Sequence, residues 1–396
     1  MSASKRIITD ETGRDIATSL GILAGEKMSA FLSDWDAIGR VAGAGNADKV
    51  FNIGDLISEP WKNGETAYDN PWRVNHFSDE EDINGNTLHG MWLETKYTHP
   101  FGVQFSHQRA FLACPDGLAA GTYHFDFGSS WGSNVKTGIT YQFTLTKAVE
   151  KGGRLAGCYG APDTSPSSWQ VYSYGADGIT LNETVAVTVG SGGTNLGTMQ
   201  ATARNGNLNC FQEMAYGHNR WRDSALRQYL NSDQPKGKWW KPQDQWDIAP
   251  DQLATTDGFL CGMDAEMLRN IVPVKMTTYA NTVNDDSGAD VTYDKVIIPS
   301  LEQMYISPQI AGEGEAQEYW KLLNGTSARW AQRQTYEILK QYIVTNHSSA
   351  QIVRVRSAYR ETASHTWSVN ASGNVNNYAG ASSGALVFTP LVYIHR

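Results

Sequence analysis

Cysteine and long apolar runs are scarce in this chain, and each scarcity excludes a class of protein. The four cysteines lie far apart without C-x-x-C spacing, so neither a disulfide framework nor a zinc site is predicted. Free thiols made in a reducing cytosol are the better interpretation. No apolar run reaches the roughly 18 residues that a membrane helix needs. Met1–Asp10 lacks the apolar core of a secretory signal, so we expect no such signal.

Charged residues are also few, at 18% of 396 residues, and they are biased towards acid. The formal net charge is −9, and no stripe of Lys and Arg is visible. Binding to nucleic acid needs clustered basic side chains that neutralise phosphates. We therefore expect no nucleic-acid partner.

The spacings that carry catalysis or metal binding are missing as well. The nine histidines include no H-x-x-x-H or H-E-x-x-H pair. Glu313, Glu315 and Glu318 are clustered in a glycine-flanked segment that reads as an exposed loop, not as two carboxylates across a cleft. The acidic loop 284–290 has oxygen donors for Ca²⁺ but lacks the twelve-residue hand and its terminal Glu, which favours a solvated hairpin tip. We predict a non-enzymatic protein with no metal and no other cofactor.

Glycine and aromatic residues are what the chain has in excess, with 38 Gly, 13 Trp and 18 Tyr. Few charges combined with many aromatic residues and glycines are typical of short-stranded β architecture and of binding surfaces. At this length the chain is expected to contain two to three domains, each large enough to bury a core.

Four segments are predicted along the chain. Residues 1–49 form a helical anchor or oligomerisation segment, because apolar residues recur at helical spacing from Thr9 to Arg40. Residues 50–89 begin the main domain, and residues 90–203 carry short strands at the regular spacing of a β-sandwich insert. Residues 204–396 return to small helices, strands and long loops. The predicted fold class is α+β.

The last forty residues are the most informative part of the sequence. Residues 357–383 mix Ser, Asn and Gly with Tyr, Trp, His and Arg, and an apolar run, Ala385–Ile394, follows directly. The mixture resembles an antibody paratope, in which rigid aromatic rings supply contact area and small polar groups supply adaptable hydrogen bonds. The apolar run predicts a buried terminal strand that ties this display segment (residues 357–383) to a scaffold. A plain polar surface loop is the alternative that composition leaves open.

Individual contact residues are predicted within the display segment. Aromatic and Arg side chains surrounded by small polar groups are typical of binding hot spots. Trp367 alternates with Val369, which leaves both an inward and an outward indole ring open. The predicted receptor contacts are Tyr359, Arg360, Glu361, His365, Asn370, Asn374, Asn376, Asn377 and Tyr378.

Several sequence blocks, in order from Val50 onward, resemble virion proteins of phages that infect gut bacteria. They include F-N-I-G-D, P-W-R-V-N-H-F, W-R-D-S-A-L-R-Q-Y-L-N-S, D-K-V-I-I-P-S-L-E-Q-M-Y and W-S-V-N-A-S-G-N-V. Those virion proteins carry a C-type-lectin-like domain of the kind also found in formylglycine-generating enzymes and in target proteins of diversity-generating retroelements. The resemblance implies a C-type-lectin-like domain with an inserted β-sandwich, and a receptor-binding face at the display segment.

Departures from the family pattern narrow what the resemblance implies. Many relatives read W-W-L-R-S-P where this chain has Ile352–Ala358, so the aromatic pair and the proline are lost. Formylglycine-generating enzymes use paired cysteines near the C-terminus, whereas the last cysteine here is Cys261. The polar composition of the display segment is compatible with retroelement diversification and equally with an ordinary binding loop.

The function implied by the resemblance is that of a phage virion adhesin, a tail- or head-fibre type of protein that takes part in host adsorption. Such a protein is assembled in the host cytoplasm, resides on the virion and binds a host cell-surface glycan or protein. Its N-terminal segment would contact other virion proteins, and analogy with phage fibres gives a homotrimer. Two alternatives stay open: a structural virion component, such as a capsid-decoration, head-fibre or baseplate protein without receptor binding, and a sugar-cleaving depolymerase.

Overall fold

The computed structural model describes residues 34–127, 138–157, 170–199, 211–323, 337–338 and 351–396. Strands account for 35% and helices for 15%, so the protein is mostly β. The expected α+β class, a C-type-lectin-like domain with an N-terminal helical segment, is therefore wrong. The sequence patterns that suggested helices correspond to short pieces, because the α-helices described are only five to nine residues long.

The elements below are numbered in chain order. The described α-helices are α1 (Trp35–Gly43), α2 (Phe211–Tyr216), α3 (Ala225–Leu230), α4 (Ala265–Arg269) and α5 (Glu318–Leu323). The described strands are β1 (Leu56–Ile57), β2 (Trp61–Asn63), β3 (Thr66–Asp69), β4 (Trp72–Glu81), β5 (Thr87–Thr95), β6 (Leu112–Cys114), β7 (Gly121–Phe127), β8 (Thr140–Leu145), β9 (Gly153–Gly157), β10 (Gln170–Tyr174), β11 (Leu181–Ala186), β12 (Thr188–Val189), β13 (Thr194–Met199), β14 (Val274–Tyr279), β15 (Ala289–Asp294), β16 (Val296–Ile297), β17 (Glu337–Ile338), β18 (Val353–Ala358), β19 (His365–Val369), β20 (Val375–Gly380) and β21 (Leu391–Ile394).

A five-stranded antiparallel sheet in the order β1-β4-β5-β21-β16 organises the main core. The long β4–β5 hairpin is closed by Asp82, whose Oδ1 accepts from the backbone N–H groups of Asn84 and Asn86, both at 2.8 Å. All four residues of β21 are buried, and Val392 is paired with Leu93 of β5. The predicted buried terminal strand is thus confirmed, although it is shorter than the apolar run.

Strands β6 to β13 form two four-stranded sheets, in the orders β11-β10-β9-β6 and β12-β8-β7-β13. They have their own core of buried side chains, including Phe111, Phe125, Phe143 and Val171. The alternating burial of β8 fits a sheet with one packed face and one solvated face. This part of the chain is compatible with the expected sandwich, and its domain boundaries stay predictions.

Helix α1 begins at the N-cap Asp34, whose side chain accepts from the N–H of Ala37. Its buried residues Trp35, Ile38 and Ala42 belong to the main core. The predicted helix Thr9–Arg40 lies largely outside the described residues. The part that is described packs on its own chain.

Two local predictions fail for identifiable reasons. The expected helix Trp221–Leu230 is split, because Ser224 is extended (φ −71°, ψ 146°) and caps α3 by accepting from the N–H of Arg227. The expected pairing of Ile271–Thr277 with Lys295–Pro299 is shifted in register. The strands that pair are β14 and β15, which bring the two ends of the acidic loop together.

The carboxylate of Glu94, on the central strand β5, is fully buried and accepts four hydrogen bonds. Its donors are Arg73 Nη2 (3.1 Å), Asn75 Nδ2 (2.7 Å), Trp320 Nε1 (2.9 Å) and Thr389 Oγ1 (2.7 Å). These donors come from β4, from α5 and from the segment before β21. A buried charge is tolerated when its lone pairs are satisfied in this way.

We expect Glu94→Gln to lower the free energy of unfolding by about 3 to 5 kcal/mol, because Arg73 is left buried without its counter-charge. Glu81→Gln is the matched control. Glu81 pairs with Lys275 at 3.1 Å, and both side chains are more than a third exposed, so its loss should cost less than about 1 kcal/mol. Urea unfolding followed by tryptophan fluorescence measures both. Equal effects of the two changes would contradict the role given to Glu94.

Candidate functional site

Most of the display segment forms a three-stranded sheet in the order β18-β19-β20, and is not an irregular loop. All six residues of β18 are buried. In β19 the residues His365 and Trp367 are partly exposed, while Thr366 and Ser368 are buried. Strand β20, at the edge of the sheet, carries Tyr378. The partly exposed side of β19 and β20, together with the turn 359–365, is called the outer face below.

Arg354 of β18 holds the three strands together from the buried side. Its guanidinium donates to Thr366 Oγ1 (2.9 Å) and to the carbonyl oxygens of Ala379 (3.2 Å), Gly380 (2.8 Å) and Ser383 (3.3 Å). Burial lowers the pKa of Arg354 to about 9, so the side chain stays charged at neutral pH. Each acceptor belongs to β19, to β20 or to the turn that follows β20.

Arg356, the second buried arginine of β18, reaches different parts of the chain. It donates to Thr278 Oγ1 of β14, to Gln303 Oε1 and to the carbonyl oxygen of Glu313. The hydroxyl of Ser357 in turn donates to the Glu313 carboxylate. These bonds attach the loop 306–317 to the back of the sheet.

Aromatic rings cover the outer face in two groups. Tyr359 and Trp367 are T-shaped, with ring centroids 5.2 Å apart. Tyr216, His365 and Tyr378 form a row with successive centroid distances of 5.5 Å. Tyr378 stands at the end of that row and is 81% exposed. Exposed tyrosine of this kind supplies a large contact area at a small cost in side-chain entropy.

Polar groups of the predicted set join the two aromatic groups. The hydroxyl of Tyr359 donates to Glu361 Oε2 at 2.6 Å, and this bond raises the pKa of Tyr359. The side chain of Asn377 also hydrogen-bonds to Tyr359. Burial lowers the pKa of His365, so its ring is neutral near pH 7. The structure thus brings Tyr359, Glu361, His365, Asn377 and Tyr378 together.

Arg360 lies at the border of the outer face. Its N–H donates to Gln309 Oε1 at 2.9 Å, and its carbonyl oxygen accepts from the N–H and hydroxyl of Thr282, both at 2.9 Å. The guanidinium lies 5.6 Å from the ring centroid of Tyr279. Two loops therefore fix the backbone of Arg360.

The remaining predicted contacts shape the β19–β20 hairpin. Asn370 Oδ1 accepts from the N–H groups of Ser372 and Asn374, both at 3.0 Å. Gly373 has φ +83°, which the turn needs. Asn376 Oδ1 accepts from the N–H of Tyr378 at 2.8 Å. Asn374 and Asn376 are exposed, but Asn370 is occupied in building the turn.

Sequence reasoning missed the residues that support the outer face from elsewhere. Asn219, fully buried, donates from Nδ2 to the carbonyl oxygens of Tyr359 (3.2 Å), Thr362 (2.9 Å) and His365 (2.7 Å). Gln309 accepts from Trp367 Nε1 at 3.2 Å as well as from Arg360. Both lie 50 or more residues away in the chain, and no local pattern distinguishes them from ordinary amides.

The candidate metal loop is held by an arginine. Arg220 makes two hydrogen bonds to Asp290, at 2.6 and 2.8 Å, and a third to Asp285 at 3.3 Å. Asp286 at the tip is 80% exposed. Within the described ranges, no group of three or more His, Cys, Asp or Glu residues is arranged to hold a metal ion. The loop is therefore only partly the solvated tip that the sequence suggested.

The clustered glutamates do not face one another across a cleft. Glu313 is buried, accepts from the N–H of Tyr279 at 2.9 Å, and has its pKa raised by burial. Glu315 and Glu318 are exposed enough to meet water and lie 3.7 Å from opposite nitrogens of buried His76. The arrangement does not match the two-carboxylate geometry of glycoside hydrolysis.

We expect Asn219→Ala to loosen the turn 359–365, because three buried carbonyl oxygens lose their donor. The free energy of unfolding should fall by about 1 to 3 kcal/mol. Amide hydrogen exchange within residues 359–366 should become about tenfold faster or more. Asn374→Ala, which removes an exposed amide in the neighbouring hairpin, should change exchange there by less than about twofold. Unchanged exchange in Asn219→Ala would contradict the supporting role.

Comparisons with known proteins give one match. A family model described as a domain of unknown function (DUF6273) matches residues 199–392, a stretch that contains the whole outer face. No curated protein matches the chain, and no solved structure matches it. In the part of the chain that the structure describes, no helix is long and apolar enough to cross a membrane.

Proposed function

We propose that this chain is a non-enzymatic adhesin of a phage particle and that its outer face binds a receptor on the host cell. The observation that carries the proposal is the exposed aromatic row ending at Tyr378, which is 81% exposed. Aromatic anchors surrounded by small polar groups are typical of binding hot spots. The resemblance of the sequence blocks to gut-phage virion proteins supports a phage particle as the setting.

The rigid support of the outer face favours binding by a preformed surface. The turn 359–365 is fixed by Asn219, and the strands are fixed by Arg354. A surface that is ordered before it meets its partner loses less conformational entropy on binding. Many copies on one particle would add avidity to a modest affinity of each site.

We expect Tyr378→Ala to weaken binding of the purified, labelled chain to intact host cells by about 10- to 30-fold, since truncating a central tyrosine anchor commonly costs about 2 kcal/mol. Tyr378→Phe should retain most of the affinity because it keeps the ring. Ile83→Ala is the matched surface control: Ile83 is 66% exposed at the tip of the β4–β5 hairpin. Its change should leave the dissociation constant within about twofold.

Other outcomes would favour the alternatives. Equal binding by Tyr378→Ala and the unmodified chain would contradict the outer face as the receptor site. Particles that fail to assemble without the chain, but adsorb normally when they carry Tyr378→Ala, would favour a structural virion component. New reducing ends after incubation with host polysaccharide would favour a depolymerase over an adhesin.

A further inference from the structure

The helical turn 300–306, next to the outer face, ends in a residue that its backbone disfavours. Tyr305 has φ +54°, in the left-handed region where the Cβ of an L-residue is crowded and glycine is preferred. Its side chain is 49% exposed. Burial in the core therefore does not explain a tyrosine at this position.

The start of this turn has the sequence that its conformation calls for. Ser300 Oγ accepts from the N–H of Gln303 at 3.0 Å, and Gln303 Oε1 accepts from the N–H of Ser300 at 3.1 Å. This reciprocal pair is a capping box, which satisfies two otherwise unpaired backbone donors.

The end of the turn is a Schellman motif. The N–H of Ile306 donates to the carbonyl oxygen of Leu301, and the N–H of Tyr305 donates to that of Glu302, both at 2.9 Å. Ile306 also packs against the cluster that contains Leu301, which is the apolar contact that accompanies this motif. Only position 305 departs from the pattern, because glycine is the usual residue there. A sequence that breaks one local rule in this way commonly does so for function.

The turn and the loop after it meet the outer face directly. Ile306, Trp367 and Val375 pack against the same buried cluster. Gln309, four residues beyond Tyr305, accepts from Trp367 Nε1 and from the N–H of Arg360. Tyr305 therefore borders the outer face where the loop joins it, whereas Tyr378 stands on the edge strand β20.

We propose that Tyr305 is a second aromatic anchor of the same binding surface, and that the partner is a protein. The proposal rests on the proposed function. A contact that reaches from β20 across β19 to the end of β18 spans two strand spacings, roughly 10 Å, and the loop widens it further. This width, with tyrosine, asparagine and arginine at the surface, fits a protein epitope better than a single sugar ring.

The test uses the full chain, labelled, with intact gut-bacterial cells that bind it as the probe. Tyr305→Gly should raise the thermal midpoint by about 2 °C or leave it unchanged, while it weakens cell binding by about fivefold or more. Tyr305→Phe should bind within about threefold of the unmodified chain. Proteinase treatment of the cells should abolish binding, and periodate treatment, which oxidises glycans, should leave it intact.

Each other result overturns a defined part. Normal binding by Tyr305→Gly, with weak binding by Tyr378→Ala, removes Tyr305 from the surface and leaves the proposed function standing. Normal binding by both variants, or no binding of the unmodified chain to any cell tested, overturns the proposed function and this inference with it. A lower thermal midpoint for Tyr305→Gly refutes the argument from backbone conformation. Binding that periodate abolishes and proteinase spares refutes a protein partner.

Discussion

Two buried arginines on one strand fix the position of the candidate binding face. Arg354 gathers acceptors from β19, β20 and the following turn, while Arg356 gathers acceptors from β14 and from the loop 306–317. A buried guanidinium is strongly destabilising unless its donors are satisfied. The sheet and the loop must therefore adopt the arrangement that supplies those acceptors. The side of the sheet that faces away from Arg354 is left free for contact.

This constraint separates support from contact within a short stretch of chain. Residues that hold the outer face, such as Asn219 and Arg354, are buried and fully engaged in hydrogen bonds to backbone carbonyl oxygens. Residues that offer contact, above all Tyr378, carry few obligations to the fold. Because the supporting bonds go to backbone atoms, side chains on the outer face can differ without loss of the scaffold. Such a division suits a surface whose partner changes.

The sequence predicted some features well and others poorly, for physical reasons. The terminal strand and the short strands of residues 112–189 were predictable, because a half-buried strand shows in its alternation and turn residues. The fold class was not, because apolar spacing alone does not separate a short helical turn from a long helix. Strand β20 was missed because its alternation is polar on both sides of Ala379. In the candidate site, Tyr378 and Tyr359 were found from composition, whereas Asn219 and Gln309 depend on contacts between distant segments.

The central claim is that the outer face touches the host cell. A photo-crosslinking amino acid at position 376, where an exposed asparagine lies beside Tyr378, tests it most directly, with position 83 at the β4–β5 hairpin tip as the reference. After binding to intact host cells and illumination, a cell-surface molecule should be captured from position 376 and not from position 83. Capture from position 83 alone would contradict the account.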